Sequence, residues 1–257
     1  MTLTGHYRDE TDENSRLTRS PHGRLEFLRT QELVRRVLPP PLRTVLDIGG
    51  ATGVHARWLA ADGYAVHVVD PVPGHVAAAS EIDGVTAEIG DARALTWPDD
   101  SADVVLLMGP LYHLTEPADR ARALAEARRV LRPGGLLFAA AISRYLSAME
   151  AGTTGRLAEQ MGPGIETVIA TGQYDAHVGF VPAHFHTADE LRDELRTAGW
   201  EGISVYGVEG PSWPALDIAG LAEFDAHKDA ALRCARLLEQ DPLLINASAH
   251  FLAVAEK

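Results

Sequence analysis

Hydrophobic and polar positions follow two rhythms in the first half of the chain. Short, mainly apolar runs have the length of strands, and the fourth, Asp103–Met108, is nearly unbroken aliphatic, as expected for a strand that is covered on both faces. The runs are Thr44–Ile48, Ala65–Val69, Val85–Ile89, Asp103–Met108 and Leu136–Ile142. Stretches with apolar residues three or four positions apart predict helices between and before these runs. They are Arg24–Val37, Val54–Ala61, His75–Ile82 and Pro117–Leu131. The alternation predicts a parallel sheet wrapped by helices, with ligands beyond the carboxyl ends of its strands.

The alternation ends after the fifth predicted strand. Residues 144–186 contain many glycines and show no clear period, and a connection of that length is usually a functional lid or a binding insertion. A helix is predicted over Thr187–Ala198, which begins with a capping-box pattern. Residues 214–238 have a mainly helical pattern, and Ile203–Val208 and Ala249–Ala255 are predicted as strands.

Composition and charge narrow the class of protein. Hydrophobic residues make up 46% of the 257 residues, which is enough for a sizeable core. The formal net charge of −13 repels phosphate backbones and anionic membranes, so neither a nucleic acid nor a membrane is expected as a partner. The single cysteine, Cys234, excludes an internal disulfide and metal sites built on cysteine pairs. With no apolar segment typical of a signal peptide or a membrane span, a cytoplasmic location is expected.

A loop of small residues follows the first predicted strand. Its pattern is Asp47-x-Gly49-x-Ala51-x-Gly53. Such a strand–turn–helix lets backbone N–H groups approach a phosphate, a dinucleotide or an adenosyl sulfonium closely. A dinucleotide fingerprint requires Gly-x-Gly-x-x-Gly, but the second and third of those positions are Ala51 and Val54. A phosphate-binding loop needs a lysine after the turn, and none is present here.

This loop resembles motif I of the class I S-adenosylmethionine-dependent methyltransferases, Asp-x-Gly-x-Gly-x-Gly. Ala51 departs from the usual glycine. In that family an acid at the end of the second strand binds the ribose hydroxyls, and a carboxylate suits a diol because it accepts two hydrogen bonds. The resemblance implies cofactor contacts at Asp47, Gly49, Gly50, Ala51, Gly53, Asp70 and Pro71.

Later segments extend the resemblance. Asp91 and Ala92 follow the third predicted strand and resemble the adenine site, where the acid accepts from the exocyclic amine. Met108 and Gly109 follow the fourth strand and resemble the motif beside the methionyl group and the sulfonium. The segment "LRPGG" precedes the fifth strand as in the family, and the last two strands fit its antiparallel hairpin. The resemblance implies a doubly wound, Rossmann-like α/β fold with a seven-stranded sheet, an antiparallel final hairpin, and helical insertions after strands 5 and 6.

A narrower resemblance is carried by "GRLEFLRT", "GPLYHL", "VEGPSW" and "SAHFLAVA". These segments are similar to a group of bacterial methyltransferases that are labelled ubiquinone/menaquinone-methyltransferase-like. The group implies S-adenosylmethionine as cofactor and leaves the acceptor open. We expect one methyltransferase domain over 1–257, with an N-terminal arm and helix over 1–40 as a cofactor lid, and insertions over 144–186 and 212–241 that cap the substrate.

Tyr112 and His113 are the candidate catalytic residues. They directly follow the fourth predicted strand, at the end of the sheet nearest the methyl group in this family. Methyl transfer from a sulfonium is an in-line displacement that mainly requires alignment and a dry site. His113 would take a proton only if the acceptor arrives protonated, and otherwise it would orient the acceptor. The alternative is a loop histidine that is bonded to backbone.

Four residues are candidates for binding the acceptor. His184 and His186 lie in "PAHFHT", where alternate spacing on an extended segment puts both side chains on one face. No third ligand is evident nearby, so no metal is predicted; the alternative is an ordinary capping loop. Glu209 and Trp213 lie on a turn after the sixth strand of the sheet, where the indole would stack on a planar acceptor or pack under the insertion.

Arg29 precedes the glycine loop and is the predicted partner of the cofactor carboxylate. Replacing Arg29 by alanine should then weaken S-adenosylmethionine binding more than tenfold. Arg16 and Tyr7 lie in the polar N-terminal arm and are further candidates for contacting the cofactor. His250 opens the last strand and is interpreted as a structural histidine with a partner.

The sequence therefore predicts a methyltransferase that uses S-adenosylmethionine to methylate oxygen, nitrogen or carbon of a small molecule. One alternative is a methyltransferase of a peptide, protein or RNA, which would have an open groove. Another is a non-catalytic adenosyl-binding module, although the intact loop and acids argue against it. The sequence leaves the acceptor atom open, because function lives in the site grafted on the fold. It also leaves the oligomeric state open.

Overall fold

The computed structural model describes residues 17–41, 43–157, 161–175 and 181–257. The strands are β1 (Thr44–Ile48), β2 (Ala65–Asp70), β3 (Val85–Ile89), β4 (Ala102–Leu107), β5 (Leu131–Ile142), β6 (Gln173–Tyr174), β7 (Ala183–His184), β8 (Glu201–Gly207) and β9 (His250–Glu256). Seven of them form one sheet in the order β3-β2-β1-β4-β5-β9-β8, and β6 pairs with β7 separately. This order confirms the predicted Rossmann-like α/β fold.

The helices cover both faces of this sheet. They are α1 (Pro21–Val37), α2 (Val54–Ala61), α3 (Pro73–Ser80), α4 (Pro110–His113), α5 (Pro117–Val130), α6 (Leu146–Thr153), α7 (Gly162–Thr171), α8 (Ala188–Thr197), α9 (Trp213–Ala219) and α10 (Phe224–Leu238). The first helix begins earlier than its apolar spacing predicts, because Ser20 caps it by accepting a hydrogen bond from Gly23 N, and Pro21 fits the first helical position. The predicted capping box at Thr187 and Glu190 is confirmed.

Strand pairing fixes the edge of the sheet at which a ligand would bind. β1 pairs in parallel with β2 and β4, and β4 pairs in parallel with β5. β9 runs antiparallel to both β5 and β8, which confirms the predicted final hairpin. The first residue of β9, His250, pairs with Ile142, the last residue of β5. The carboxyl ends of β1–β5 and β8 therefore meet the start of β9 at one edge.

Alternate residues of the strands pack into two separate cores. Leu46 of β1 and Leu107 of β4 belong to a core under α5 and α8, whereas Val45 and Leu106 belong to the opposite core under α1 and α2. All four side chains are fully buried. Successive side chains of a strand point to opposite faces, so nearly unbroken aliphatic runs are required here.

Two stretches outside the sheet were expected as insertions. The first had no clear period in the sequence, yet it contains α6, α7 and the short β6–β7 hairpin. The second contains α9 and α10, of which α9 packs against α1 and α6. A small core of Leu25, Leu216, Phe224 and Ala231 joins α1 to this second insertion. Within the described part of the chain, no helix is both long and apolar enough to span a membrane.

Candidate active site

A cavity of about 280 Å³ lies along the carboxyl ends of β1–β4. Most of the residues predicted from the sequence to contact a cofactor or an acceptor line this cavity. They are Gly49, Gly50, Ala51, Asp70, Pro71, Asp91, Ala92, Met108, Gly109, Tyr112 and His113. The same edge also brings in Leu17, His55, His75 and Arg93, which the sequence did not single out. The last two could have been suspected, because His75 and Arg93 lie close in sequence to predicted acids.

The glycine loop has left-handed backbone at three alternate positions. The φ angles are 71° at Gly49, 47° at Ala51 and 82° at Gly53. A Cβ at Gly49 would lie 2.8 Å from Pro110 Cδ, so the loop can approach the turn after β4 only without a side chain there. Ala51 tolerates the left-handed region at a cost of about 1 kcal/mol. Gly53 faces Ile82 rather than the cavity, since its Cβ would lie 2.6 Å from Ile82 Cδ1.

Asp70 ties the glycine loop to the end of β2. Its Oδ2 accepts a hydrogen bond from the backbone N–H of Ala51 at 2.9 Å, and its Oδ1 accepts one from Val72 N at 2.9 Å. Nδ1 of His75 lies 3.1 Å from Oδ1. The side chain is buried yet borders the cavity. Its position gives a fixed acceptor at the place where the family binds a ribose diol.

Asp47 lies behind the glycine loop and does not line the cavity. It is fully buried, and neither carboxylate oxygen has a hydrogen-bond partner among the described residues. A Cβ at Gly50 would lie 2.6 Å from Asp47 Oδ2, so the loop backbone packs directly on this carboxyl. Burial, with a smaller contribution from the charge of Asp70, raises the pKa of Asp47 to about 7.

Asp91 is held by Arg93 at the opening of the cavity. Nη2 of Arg93 donates to Asp91 Oδ2 at 2.6 Å, and Arg93 Nη1 also donates to Asp119 Oδ2 at 2.7 Å. The hydrogen bond from Arg93 holds the pKa of Asp91 below its usual range. Asp91 is therefore ionised at neutral pH, and both of its oxygens are hydrogen-bond acceptors.

Tyr112 and His113 form the end of the short helix α4. The centres of their rings are 4.6 Å apart, and both rings border the cavity near Gly109. A Cβ at Gly109 would lie 3.6 Å from the hydroxyl of Tyr112. The proline at the start of α4 packs against Gly49, which fixes this helix relative to the loop. A tyrosine and a histidine are thus positioned beside the turn after β4.

Arg29 corrects one prediction from the sequence. Its side chain is fully buried and does not line the cavity. Nη2 donates to Glu239 Oε2 at 2.5 Å, Nε donates to the carbonyl of Val208 at 3.2 Å, and Nη1 lies 2.9 Å from Glu32 Oε2. The guanidinium is therefore occupied by the second insertion rather than facing a cofactor carboxylate. Arg16 and Tyr7 lie outside the described residues.

His184 and His186 are likewise packed away from the cavity. Both are buried, and their Nε2 atoms lie 3.2 Å and 3.3 Å from carboxylate oxygens of Glu190 and Glu194. Burial lowers the pKa of His186 despite the hydrogen bond to Glu194. Burial also favours the neutral form of Glu194, but hydrogen bonds from His186 and Arg120 outweigh it and lower the pKa of Glu194 to about 2.

These two glutamates are neutralised by arginines. Nε and Nη2 of Arg120 donate three hydrogen bonds to Glu194, and Nη2 of Arg144 donates two to Glu190. Two guanidinium charges beside the histidine pair disfavour a metal cation there, so the geometry agrees with a structural network. Neither His184 nor His186 lines the main cavity or the smaller chamber beside it, as far as residues 17–41, 43–157, 161–175 and 181–257 define these two spaces.

Glu209 and Trp213 are also buried at the edge of the second insertion. Trp213 Nε1 donates to the carbonyl of Ala247 at 3.1 Å, so the indole packs under the insertion. Glu209 accepts hydrogen bonds from the hydroxyl of Ser248 at 2.8 Å and from the backbone of His250 at 2.9 Å. Neither residue borders the main cavity. The sequence could locate both near a strand end, but it could not reveal these partners.

A smaller chamber of about 20 Å³ adjoins the main cavity. His55, Met108 and Tyr112 line both spaces. The walls that are particular to the chamber come from α1 and from the ends of β5, β8 and β9; these residues include Glu26, Thr30, Ala140, Val208, His250 and Phe251. A chamber of this size accommodates one water molecule or one hydroxyl group.

The match to known proteins agrees with this geometry. The family model described as "Methyltransferase domain" matches residues 45–135, from β1 to the start of β5. The ubiquinone/menaquinone biosynthesis C-methyltransferase UbiE of Acidiphilium cryptum is 31% identical over 189 residues, which cover 70% of this chain and 75% of that protein. The chain belongs to the class I S-adenosylmethionine-dependent methyltransferases. Within that class it is a member of the UbiE-like group.

Two further comparisons extend this result. The 2-methyl-6-phytyl-1,4-hydroquinone methyltransferase of a Synechocystis strain is 40% identical over 106 residues, which cover 39% of this chain and 32% of that protein. A methyltransferase from Thermotoga maritima, solved by crystallography and described as a possible histamine N-methyltransferase, has 21% identity and a TM-score of 0.62. This match covers 99% of the chain and 98% of that structure. At this identity the structural match establishes the fold alone.

S-adenosylmethionine fits the residues that are present. It carries a cationic ammonium and a sulfonium, and Asp47 supplies a buried carboxyl without a protein partner among the described residues. Gly49 and Gly50 leave no room for side chains, so their backbone can reach the ligand. Asp70 and Asp91 offer acceptors along the same cavity. The chain is an enzyme with S-adenosylmethionine as its cofactor.

Proposed function

We propose that this enzyme methylates a small hydroxylated aromatic molecule of the hydroquinone class, at a hydroxyl oxygen or at a ring carbon. The observation that carries the proposal is the chamber that opens beside Met108 and Tyr112, at the methyl end of the cofactor cavity. It is large enough for one hydroxyl group, and its walls combine apolar side chains with a few polar ones. Two relatives with ubiquinone, menaquinone or hydroquinone in their names support the same acceptor class.

In this proposal the loop half of the cavity holds the cofactor. Asp70 binds the ribose hydroxyls, Asp91 accepts from the adenine amine, and the backbone of Ala92 donates to the ring. Asp47 lies behind the loop of Gly49 and Gly50 and acts across this loop on the cationic ammonium and sulfonium of the cofactor. S-adenosylmethionine supplies an electrophilic methyl group on its sulfonium.

Tyr112 and His113 orient the acceptor. Both line the cavity at the turn after β4, and the two rings pack against each other, so they form one wall. Alignment of acceptor and methyl carbon is the main task in such a displacement, because the leaving group is already good. Helix α1 and the insertions over 144–186 and 212–241 exclude water from the acceptor. A cytoplasmic location, the absence of nucleic-acid substrates and the role of residues 1–40 as a lid stay predictions.

The first experiment is calorimetric titration of the purified protein with S-adenosylmethionine, S-adenosylhomocysteine and NAD. We expect micromolar binding of the two adenosyl ligands and none of NAD. Reduced 1,4-naphthohydroquinone and 1,4-benzohydroquinone are then incubated with enzyme and S-adenosylmethionine, and products are identified by mass spectrometry. Methylated hydroquinone supports the proposal. Adenosyl binding without methylation of either compound would contradict the acceptor class while leaving the family intact.

A further inference from the structure

Three titratable side chains from distant parts of the chain meet beside the chamber. Glu26 comes from α1, Glu209 follows β8, and His250 begins β9. Nδ1 of His250 lies 2.6 Å from Glu209 Oε1 and 3.8 Å from Glu26 Oε2. Glu26 and Glu209 are buried, and His250 is largely so. Burying this many charged groups is costly unless they are paired or serve a ligand.

Glu209 fixes the orientation and the tautomer of the His250 ring. Its Oε2 accepts from Ser248 Oγ and from the backbone N–H of His250, so the carboxylate is anchored before it meets the ring. A short contact between a carboxylate and Nδ1 means that Nδ1 carries the proton. The remaining nitrogen, Nε2, is then the basic site of a neutral ring.

The sheet brings this ring close to the reaction. β9 is two strands from β4, since β5 lies between them, and neighbouring strands are about 4.8 Å apart. His250 is at the edge of the sheet where β4 ends at Leu107 and the chain turns through Met108 towards Tyr112. His250, Met108 and Tyr112 all line the chamber. Met108 and Tyr112 also line the main cavity, so the two spaces adjoin there.

We propose that His250 is the proton acceptor for the hydroxyl group of the methyl acceptor, and that Glu209 is its positioning residue. The hydroxyl of a hydroquinone resembles that of tyrosine, with a pKa of about 10, so it arrives protonated at neutral pH. It enters the chamber and gives its proton to Nε2 of His250. The imidazolium that forms is stabilised by Glu209 and Glu26.

The electrons balance in either mode of transfer. The acceptor oxygen, or the ring carbon made electron-rich by the phenolate, forms the bond to the methyl carbon. The carbon–sulfur bond of the sulfonium breaks, and its electron pair stays on sulfur. If carbon attacks, the ring hydrogen is lost to solvent afterwards and the hydroxyl is restored. His250 releases its proton to solvent when the product leaves. No further reactant is required.

A metal site is a weaker explanation of the same cluster. The carboxylates of Glu26 and Glu209 and the ring of His250 are close enough to share an ion. However, two ligands of one tetrahedral zinc are about 3.3 Å apart, whereas Nδ1 of His250 and Oε1 of Glu209 are 2.6 Å apart. That distance is typical of a hydrogen bond with the proton in place.

Several other groups act on the charge of this ring. His22 on α1 is electrostatically coupled to both Glu26 and His250, and its Nδ1 is 2.6 Å from Asp217 Oδ2 on α9. His55 on α2 and Tyr112 on α4 border the same chamber. The two glutamates nearest His250 are negative when ionised, so they favour the charged ring that proton transfer creates.

The decisive variant is His250→Asn. The Asn amide nitrogen occupies nearly the position of Nδ1 and keeps a donor for Glu209, but the variant has no atom that replaces Nε2. We expect kcat with reduced 1,4-naphthohydroquinone to fall about 100-fold or more at pH 7, with the dissociation constant of S-adenosylhomocysteine within about twofold of wild type. His227→Asn on the exposed face of α10 is the matched control and should leave kcat unchanged.

The pH profile separates proton transfer from a structural role. As the pH approaches 10 the acceptor ionises in solution, so the deficit of His250→Asn should shrink at least tenfold. Glu209→Gln removes the charge beside the ring and should move the acidic limb of the wild-type profile to lower pH. A deficit in His250→Asn that is the same at every pH, or kcat equal to wild type at pH 7, would overturn the proposal.

A second measurement needs no turnover. Nitrogen-15 NMR of histidine-labelled enzyme with S-adenosylhomocysteine, assigned by comparison with His250→Asn, reports which ring nitrogen of His250 carries the proton at pH 8. We expect Nδ1 to carry the proton and Nε2 to be unprotonated. A protonated Nε2 would contradict the assignment, and so would loss of methyl transfer on treatment with EDTA. The inference rests on the proposed function, yet the two fail differently: no methylation by wild type rejects the acceptor class alone.

Discussion

The loop half of the enzyme, residues 44–130, and the insertion half, residues 131–257 together with α1, hold their buried polar groups in different ways. In the loop half the two acids that border the cavity contact groups fairly close in sequence: the buried Asp70 contacts the N–H of Ala51, 19 residues away, and the more exposed Asp91 contacts Arg93, two residues away. In the insertion half Arg29 reaches Glu239 across 210 residues. Partners that are close in sequence can be suspected from it, as His75 and Arg93 could have been, whereas long-range pairs cannot.

The difference has a physical origin. A glycine loop must bend where a ligand's phosphates or ribose will lie, so its residue types are dictated by backbone geometry and are readable. A buried ion pair needs only two opposite charges that meet after folding, and many arginines and glutamates satisfy that description equally well. The largest predicted effects therefore lie in the insertion half, and they concern stability rather than cofactor affinity.

Replacing Arg29 by alanine is the strongest test of the difference between the two halves. The change removes a fully buried side chain and leaves the carbonyl of Val208 without its donor, while Glu239 and Glu32 keep only their more exposed partners Arg36 and Arg236; we expect the free energy of unfolding to fall by about 3–5 kcal/mol. S-adenosylmethionine affinity should stay within about twofold, because Arg29 does not line the cavity. Urea denaturation and calorimetric titration test the two statements. A tenfold weaker affinity with unchanged stability would restore the role that the family resemblance implies.

Asp47→Asn tests the buried acid of the loop half. With a pKa of about 7 in the folded state and 3.8 as the ordinary value, wild type binds a proton on folding between these pH values, and its stability falls as pH rises from 4 to 7. The variant lacks this loss. Its stability relative to wild type should therefore rise by up to about 4 kcal/mol between pH 4 and 8.

Urea denaturation of the apo protein at a series of pH values measures this difference. Asp83→Asn, on the exposed loop before β3, is the control and should run parallel to wild type. A constant difference between Asp47→Asn and wild type across the range would mean that Asp47 is already ionised at pH 4.

Gly49→Ala sharpens the description of the loop half. Residue 49 has a φ of 71°, which side chains rarely adopt, and a Cβ there would lie 2.8 Å from Pro110 Cδ. The loop and α4 would therefore have to separate. We expect S-adenosylmethionine to bind at least 100-fold more weakly, equivalent to about 2.7 kcal/mol. Gly74→Ala adds a methyl with no atom within 4 Å and should bind normally. Equal affinities of the two variants would show that the loop tolerates a side chain.

Ala51→Gly gives the smallest expected effect. It relieves a left-handed φ of 47° but makes the unfolded chain more flexible, so the free energy of unfolding should change by less than about 1 kcal/mol. Cofactor affinity should change by less than threefold, because the N–H that Asp70 accepts is retained. Thermal melting and titration check both. A tenfold gain in affinity would mean that the methyl of Ala51 obstructs the cofactor.

The apolar runs predicted the parallel strands, and the family resemblance added the final hairpin and most of the residues that line the cavity. Sequence reasoning misjudged Arg29, His184 and His186, whose surroundings come from segments with no periodic signal. Glu209 was located at a strand end, but its pairing with His250 could not be foreseen because 41 residues separate them. The partner of each of these buried side chains is set by tertiary contacts, so the sequence alone could not identify it.

The link between Arg29 and Glu239 also limits how this enzyme can be re-engineered. Arg236 bonds to Glu32, and Arg36 bonds to Glu239, so α1 and the end of the second insertion are fastened by several ion pairs as well as by an apolar core. The same helix provides Glu26 and Thr30 to the chamber. Grafting residues 212–241 from a relative would therefore leave orphaned charges on α1. A functional chimera therefore has to take residues 21–37 and 212–241 from the same parent protein.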